Sequence, residues 1–228
     1  MLIADRMLRV MVHAVSRSLY RLATIGLAKG PHVSRYTMYA RLGAHRSERK
    51  PGERALAVSG SEDLARLLGF GPEQITDASY PECNILRLPF EDDRFDAVVS
   101  DQVIEHVEGD PFAAVAEGFR VVKPGGLVVH TSCFITPVHG SPGDFWRFTP
   151  EGLALLVKPF ADIIEADAWG NPLVLLYGFL GLRREPVPHA AWHPAHRIAA
   201  WNVRSWPMST WVVARKHDPL GQATASNA

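Results

Sequence analysis

The sequence predicts an α/β fold with a mostly parallel sheet, and three features of residues 88–129 predict it. Phe95 and then Ala97, Val98 and Val99 form an apolar run, long enough for one buried strand and too short for a helix. The polar residues Ser100, Asp101 and Gln102 crowd its end. Asp110 and Pro111 read as an N-cap and a first helical position, and Phe112, Val115, Ala116, Phe119 and Val122 then recur at three- and four-residue steps. Lys123 suits the negative end of that helix, Pro124, Gly125 and Gly126 stop it, and Leu127, Val128 and Val129 start a second apolar run. Strand, polar loop, helix, glycine turn, strand is a βαβ unit, and its two strands should be parallel. Ligands of open α/β sheets bind beyond the carboxyl ends of the strands. Ser100, Asp101, Gln102, Glu105 and His106 therefore mark an expected site.

A chain of 228 residues suits one α/β domain with additions, or two small domains, at roughly 150 residues each. Cys83 and Cys133 are the only cysteines and form no Cys-x-x-Cys pair, which points to reduced thiols in a cytoplasmic compartment. Net charge is zero, but residues 1–50 hold ten Lys and Arg against two Asp and Glu, a local +8. No run of eighteen apolar residues occurs, so no spanning helix is expected, nor does the start read as a secretory signal.

Residues 1–50 are expected to be a basic helical extension and linker. Over residues 1–27, Arg6, Arg9, His13, Arg17 and Arg21 form a basic stripe, with Ala4, Leu8, Met11, Val15, Leu19 and Leu22 on the opposite face. Two readings stay open: the apolar face packs on the main domain with the arginines in water, or the helix lies on an anionic lipid surface. Residues 29–52 read as a linker with a short helix near residues 36–42. Tyr36 and Tyr39 are too few for a nucleic-acid stacking platform, so no nucleic-acid partner is expected.

The main domain is expected over residues 51–216. Residues 55–58 make a first strand, and Ser59, Gly60 and Ser61 form a small-residue turn into a helix, where a cofactor's backbone contacts are expected. Asp77 ends a second strand, seventeen residues beyond Gly60, close to the spacing of roughly 20 at which a carboxylate meets a ribose. Residues 78–82 are too short for a crossover helix, so one helix of the usual pattern should be missing. Residues 83–86 read as a third strand, residues 128–131 continue the sheet, and residues 162–169 and 208–216 supply its last two strands. A long loop over residues 132–149 carries His139, Asp144, Trp146 and Arg147; Asp144 and Arg147 suit either a self-bracing pair or an acceptor contact. Thr149, Pro150 and Glu151 cap the next helix. Residues 170–207 are apolar and Pro-rich, suited to a lid, a homodimer surface or a substrate wall. His189, His193 and His196 there lack a Cys or carboxylate cluster to complete a tetrahedral site, so no metal is expected. Residues 217–228 read as a disordered tail.

LPF, the acidic residues after it, FDAVVS, the Glu105-His106 pair and RVVKPGG together resemble the central block of class I S-adenosylmethionine-dependent methyltransferases. The likeness runs over residues 55–169, and HGSPGDFWRFT resembles a narrower subgroup. It implies a Rossmann-like, doubly wound, seven-stranded sheet with an antiparallel last strand, and S-adenosylmethionine as cofactor. It further implies that Asn84 and Ile85 flank the adenine, and that an oxygen or nitrogen of a small-molecule or saccharide acceptor is methylated. His106 and His139 are the candidate bases, since imidazole takes up protons near neutral pH. Two departures stand out. Ala57 occupies the family's usual acidic position, and Gly60 is the turn's single glycine. They keep a second expectation open, a relative that has lost catalysis and serves as a binding scaffold.

Overall fold

The computed structural model describes residues 2–140 and 142–218. In chain order its main elements are α1 (Leu2–Ala23), β1 (Lys29–His32), α2 (Val33–Leu42), β2 (Ala55–Val58), α3 (Glu62–Leu67), β3 (Ile75–Ala78), β4 (Phe95–Asp101), α4 (Pro111–Val121), β5 (Val122–Cys133), α5 (Pro150–Val157), β6 (Ala161–Trp169), α6 (Leu173–Phe179), β7 (Pro186–Pro188), α7 (Pro194–Ala200) and β8 (Ser209–Lys216). Two compact units result among the described residues, 41–168 with 210–218, and 2–40 with 169–209. Most of the expected tail, residues 219–228, lies outside the described residues.

The first unit is built on a six-stranded sheet in the order β3-β2-β4-β5-β8-β6. The β2–β3, β2–β4 and β4–β5 pairs are parallel. Parallel strands covered on both faces lose the polar alternation of half-exposed strands. Accordingly all four residues of β2 are buried, as are Phe95, Ala97, Val98 and Val99 of β4. α4 begins where the sequence places it: the Asp110 carboxylate accepts the Phe112 N–H at 2.9 Å, and Pro111 follows. Its buried face runs through Ala114, Val115, Gly118 and Phe119, which leaves Phe112 exposed. Pro124, Gly125 and Gly126 do not separate the helix from the strand. They form a bulge inside β5, between the pairs Phe95–Val122 and Ala97–Leu127. A Cβ on Gly126 would lie 2.7 Å from Val122 and 3.0 Å from the Asp96 carbonyl oxygen, so only glycine fits there.

Six strands replace the expected seven because residues 83–86 are not a strand. The Cys83 N–H donates to the Ser79 carbonyl, the Arg87 N–H to the Asn84 carbonyl, and the Leu86 N–H to Asn84 Oδ1, each at 2.9 Å. These local bonds use the groups that a ladder would need. The connection from β3 to β4 contains no helix, in line with its length. Arg120 holds the LPF segment instead, donating to the Leu88 and Phe90 carbonyls at 3.0 and 2.8 Å and to Glu117 and Asp92.

In the second unit, β1 and β7 pair antiparallel within what reads as linker and lid. α1 is fixed through its polar stripe: His13 bonds the Phe179 carbonyl, Arg17 the Gly181 carbonyl and Tyr20 the Pro186 carbonyl, while Arg21 grips Glu185 through two bonds. The apolar face is the one left in solvent, with Leu8, Met11, Val15, Leu19 and Leu22 each 57–65% exposed. That reverses the reading in which the apolar face packs inward.

Candidate functional site

Beyond Val58 the chain leaves β2 through Ser59 and Gly60, whose φ angles of 51° and 78° are both left-handed. Two such residues in succession turn the strand into α3, which starts at Glu62. A Cβ on Gly60 would meet nothing within 4 Å, so one side of this turn is open. The open side borders a cavity of about 610 Å³, lined by Ser59, Gly60, Asn84, Ile85, Gln102 and His106 among the sequence-predicted residues. Leu86, Val103 and Val107 add apolar wall, and Ser79 and Tyr80 add polar edges that sequence reasoning did not single out. The volume falls within the ~300–1,000 Å³ of small-molecule sites.

Gln102 forms the polar floor. Its backbone is left-handed, φ 61°, held by N–H donation to Thr131 Oγ1 and the Thr131 carbonyl at 3.0 and 3.2 Å. Its Nε2 is buried and donates to no atom among the described residues. A buried donor without an acceptor costs roughly 1–3 kcal/mol, and a bound ligand could supply the missing partner.

Three predicted cofactor residues are instead occupied in tying the strand tips together. The Ser61 hydroxyl donates to the Val58 carbonyl and accepts the Asp101 N–H at 2.8 Å. Asp101 Oδ1 accepts from the Thr131 hydroxyl at 2.6 Å. Ser100 Oγ lies 2.7 Å from His130 Nδ1, both residues fully buried, and burial lowers the His130 pKa to about 4. Ser61, Ser100 and Asp101 therefore do not line the cavity. Asp77 is exposed at the β3 tip and is not a lining residue either. Its Oδ1 accepts from the hydroxyl of Ser79, which is one.

The loop after β5 is fastened to the Glu105-His106 pair. The Glu105 carbonyl accepts the Phe145 and Trp146 N–H groups at 2.9 and 3.1 Å, and Trp146 Nε1 donates to the Val107 carbonyl. His106 Nδ1 bonds the Gly143 carbonyl. Arg147 grips Asp144 through two bonds, and the His139 N–H donates to Asp144 Oδ2 at 2.8 Å. The Asp144 side chain is only 2% exposed, and the Arg147 guanidinium holds its carboxyl below the usual carboxylate range. The self-bracing reading of this pair is the one observed, and Trp146 is tied to the same brace. Burial raises the Glu105 pKa, and it pushes the Cys133 thiol up to about 11. In the other unit, Tyr36 Oη bonds Nδ1 of both His189 and His196, while His193 caps α7.

Residues 47–130 match the family described as a methyltransferase domain. Curated relatives include an uncharacterized methyltransferase of Schizosaccharomyces pombe, 46% identical over 56 residues, covering 25% of this chain and 20% of that protein. A demethylmenaquinone methyltransferase of Streptomyces avermitilis is 32% identical over 132 residues, covering 58% of this chain and 52% of that one. The chain thus spans about a fifth to a half of the curated relatives it matches. Among solved structures, the [4+2]-cyclase SpnF is similar at a TM-score of 0.52 with 16% identity, over 92% of this chain and 95% of that one. The geranyl diphosphate C-methyltransferase of Streptomyces coelicolor A3(2), in complex with S-adenosyl-L-homocysteine, scores 0.51 with 12% identity, over 79% and 78%. These likenesses show the Rossmann-like methyltransferase fold.

Proposed function

We propose that the protein transfers a methyl group from S-adenosylmethionine to an oxygen or nitrogen of a small-molecule or glycan-like acceptor. The observation that carries this is the cavity at the β2 and β4 tips, with its open left-handed turn and a buried Gln102 Nε2 that has no acceptor among the described residues, in a stretch that matches the methyltransferase domain family. When bound, the cofactor supplies an activated methyl group on a sulfonium, already a good leaving group. The chain's task is to bind, align and exclude water. Gly60 lets backbone approach closely, and the exposed Asp77 carboxylate, outside the cavity but bonded to its lining residue Ser79, would accept hydrogen bonds from ribose hydroxyls that reach the cavity edge. Asn84 Oδ1 already takes the Leu86 N–H and keeps one lone pair for an adenine amino group beside Ile85. With Nδ1 turned to the Gly143 carbonyl, His106 presents Nε2 as the proton acceptor for an acceptor hydroxyl. Calorimetric titration with S-adenosylhomocysteine tests this reading: micromolar binding that weakens in Asn84→Ala supports it, and no heat at high ligand concentration overturns it.

The second part of the proposal is that α1 lies on an anionic lipid surface. Five of its exposed apolar residues, Leu8, Met11, Val15, Leu19 and Leu22, sit opposite the stripe that packs, within residues 1–50 that carry +8. Liposome flotation with and without residues 1–27 tests it. Equal partitioning of both chains, or a concentration-dependent dimer that buries the same face, ends the lipid reading.

A further inference from the structure

Beside the cavity, one carboxylate oxygen of Glu105 and one ring nitrogen of each of His106 and His139 all lie within 4.8 Å of one another. The two imidazoles meet edge to face, with ring centroids 5.1 Å apart. Each group has a protein partner on one of its atoms. Glu105 Oε2 accepts from the Ser132 hydroxyl at 2.9 Å, His106 Nδ1 bonds the Gly143 carbonyl, and His139 Nδ1 faces the Pro137 carbonyl at 3.2 Å and Asp144 Oδ2 at 3.4 Å. Among the described residues Glu105 Oε1 and the two Nε2 atoms make no regular hydrogen bond, and the Cys133 thiol interacts with the Glu105 carboxylate. Oε1 belongs to a residue with no solvent exposure and accepts no hydrogen bond among the described residues, an arrangement that burial penalises. Metal-binding imidazoles characteristically bond the far ring nitrogen to a carbonyl or carboxylate, which fixes the tautomer with Nε2 as ligand.

We propose that Glu105, His106 and His139 bind one divalent cation of the manganese-to-zinc series, with open coordination positions toward the cavity. Two imidazoles and one carboxylate select borderline cations over Mg²⁺ or Ca²⁺, which take all-oxygen shells. Ligand bonds of ~2.0–2.2 Å place tetrahedral ligand atoms about 3.4 Å apart, so the three side chains must draw together by on the order of 1 Å. His139, on the loop with its side chain 37% exposed, has solvent-side room for that movement, with its backbone N–H kept on Asp144. The site rests on these three residues alone. Its use rests on the methyl-transfer reading: the open positions would take oxygen atoms of the acceptor, which narrows the acceptor to one that chelates through hydroxyl or carboxylate groups. Coordination would then acidify that hydroxyl and replace the imidazole base, because the cation and the proton compete for the same Nε2 lone pair.

The test is titration of chelator-treated full-length protein with Zn²⁺, and with Co²⁺ followed by its visible d–d absorption. One equivalent per chain is expected, with affinity at least ~100-fold lower in His139→Ala and Glu105→Gln, since removing even an outer-shell partner typically costs 10–100-fold. Circular dichroism identifies a Glu105→Gln protein that has not folded, and His139→Ala, altered in a loop, keeps the test valid. Substoichiometric binding, or affinity unchanged in His139→Ala, overturns the site. S-adenosylhomocysteine titrated into the metal-free protein separates the two readings. Heat with that ligand but none with Zn²⁺ removes the cation site only, and the reverse result removes the methyl-transfer reading only.

Discussion

The two halves of the strand-tip region are built on opposite principles. At the cavity and its edge the polar groups are left open: Gln102 Nε2, just past β4, has no acceptor among the described residues, the Asp77 carboxylate on β3 is exposed, and the turn at Gly60 after β2 faces space. From β4 and β5 into the loop the groups are cross-tied. Ser61 joins β2 to β4, Thr131 joins β5 to β4, and Asp144 collects both the His139 backbone and Arg147. Open polar groups cost stability and suit ligand contact, whereas tied ones stabilise and leave little for a ligand. Substitutions on the tied side should therefore act on stability and those on the open side on affinity.

The largest effect is expected from Asp144→Asn, which strands Arg147 beside a neutral amide and should cost about 3 kcal/mol in chemical denaturation. Its pH dependence fixes the cause. Because the folded-state pKa of Asp144 is depressed, the ion pair's contribution is complete above the unfolded carboxyl value of about 3.9 and is lost as pH falls through the folded value. The gap between wild type and variant should stay level from pH 8 to about 5 and close only below about pH 4. A gap that closes near pH 6 would assign the effect to another group. On the open side, Asp77→Ala should weaken S-adenosylhomocysteine by roughly 30-fold, about 2 kcal/mol for a charge-assisted ribose contact, with unfolding unchanged. Gln102→Ala should weaken it less, roughly 5- to 10-fold, and hold or slightly raise stability without ligand because an orphaned donor is removed. Loss of stability in Gln102→Ala would break the contrast.

The sequence made the backbone of this region legible and its side-chain commitments much less so. Apolar runs of strand length and the caps Asp110 and Thr149 have local causes, and the structure keeps both caps. Cys83 to Leu86 looked like a strand because three of the four residues are apolar. What removed it was Asn84 folding its carbonyl onto Leu86 N–H, a contact that composition does not announce. Ser61, Ser100 and Asp101 lie near the ends of β2 and β4, and apart from the local Ser61–Val58 bond their hydrogen bonds go to Asp101, His130 and Thr131, brought together across neighbouring strands. The one usable signal is composition: His130, Thr131 and Ser132 form a polar run at the end of an apolar stretch, and His130 stands opposite Ser100. α1 teaches the same lesson at larger scale. Periodicity found two faces, and only the tertiary partners at Phe179, Gly181 and Glu185 decide that the polar one packs.

The smallest effect separates conformation from composition at the cofactor turn. The single glycine suggests a weakened cradle, yet Ser59 adopts the left-handed conformation that glycine favours. Glycine at 59 would relieve the Cβ penalty of that conformation and lose a comparable amount through greater freedom in the unfolded chain. Ser59→Gly should therefore change stability by no more than about 0.5 kcal/mol and leave S-adenosylhomocysteine affinity within about twofold. A large gain in affinity would mean that the serine side chain obstructs the turn. A large loss would mean that its hydroxyl is itself a ligand contact. Equality would mean that backbone geometry is what the ligand reads, and that serine supplies it as well as glycine does.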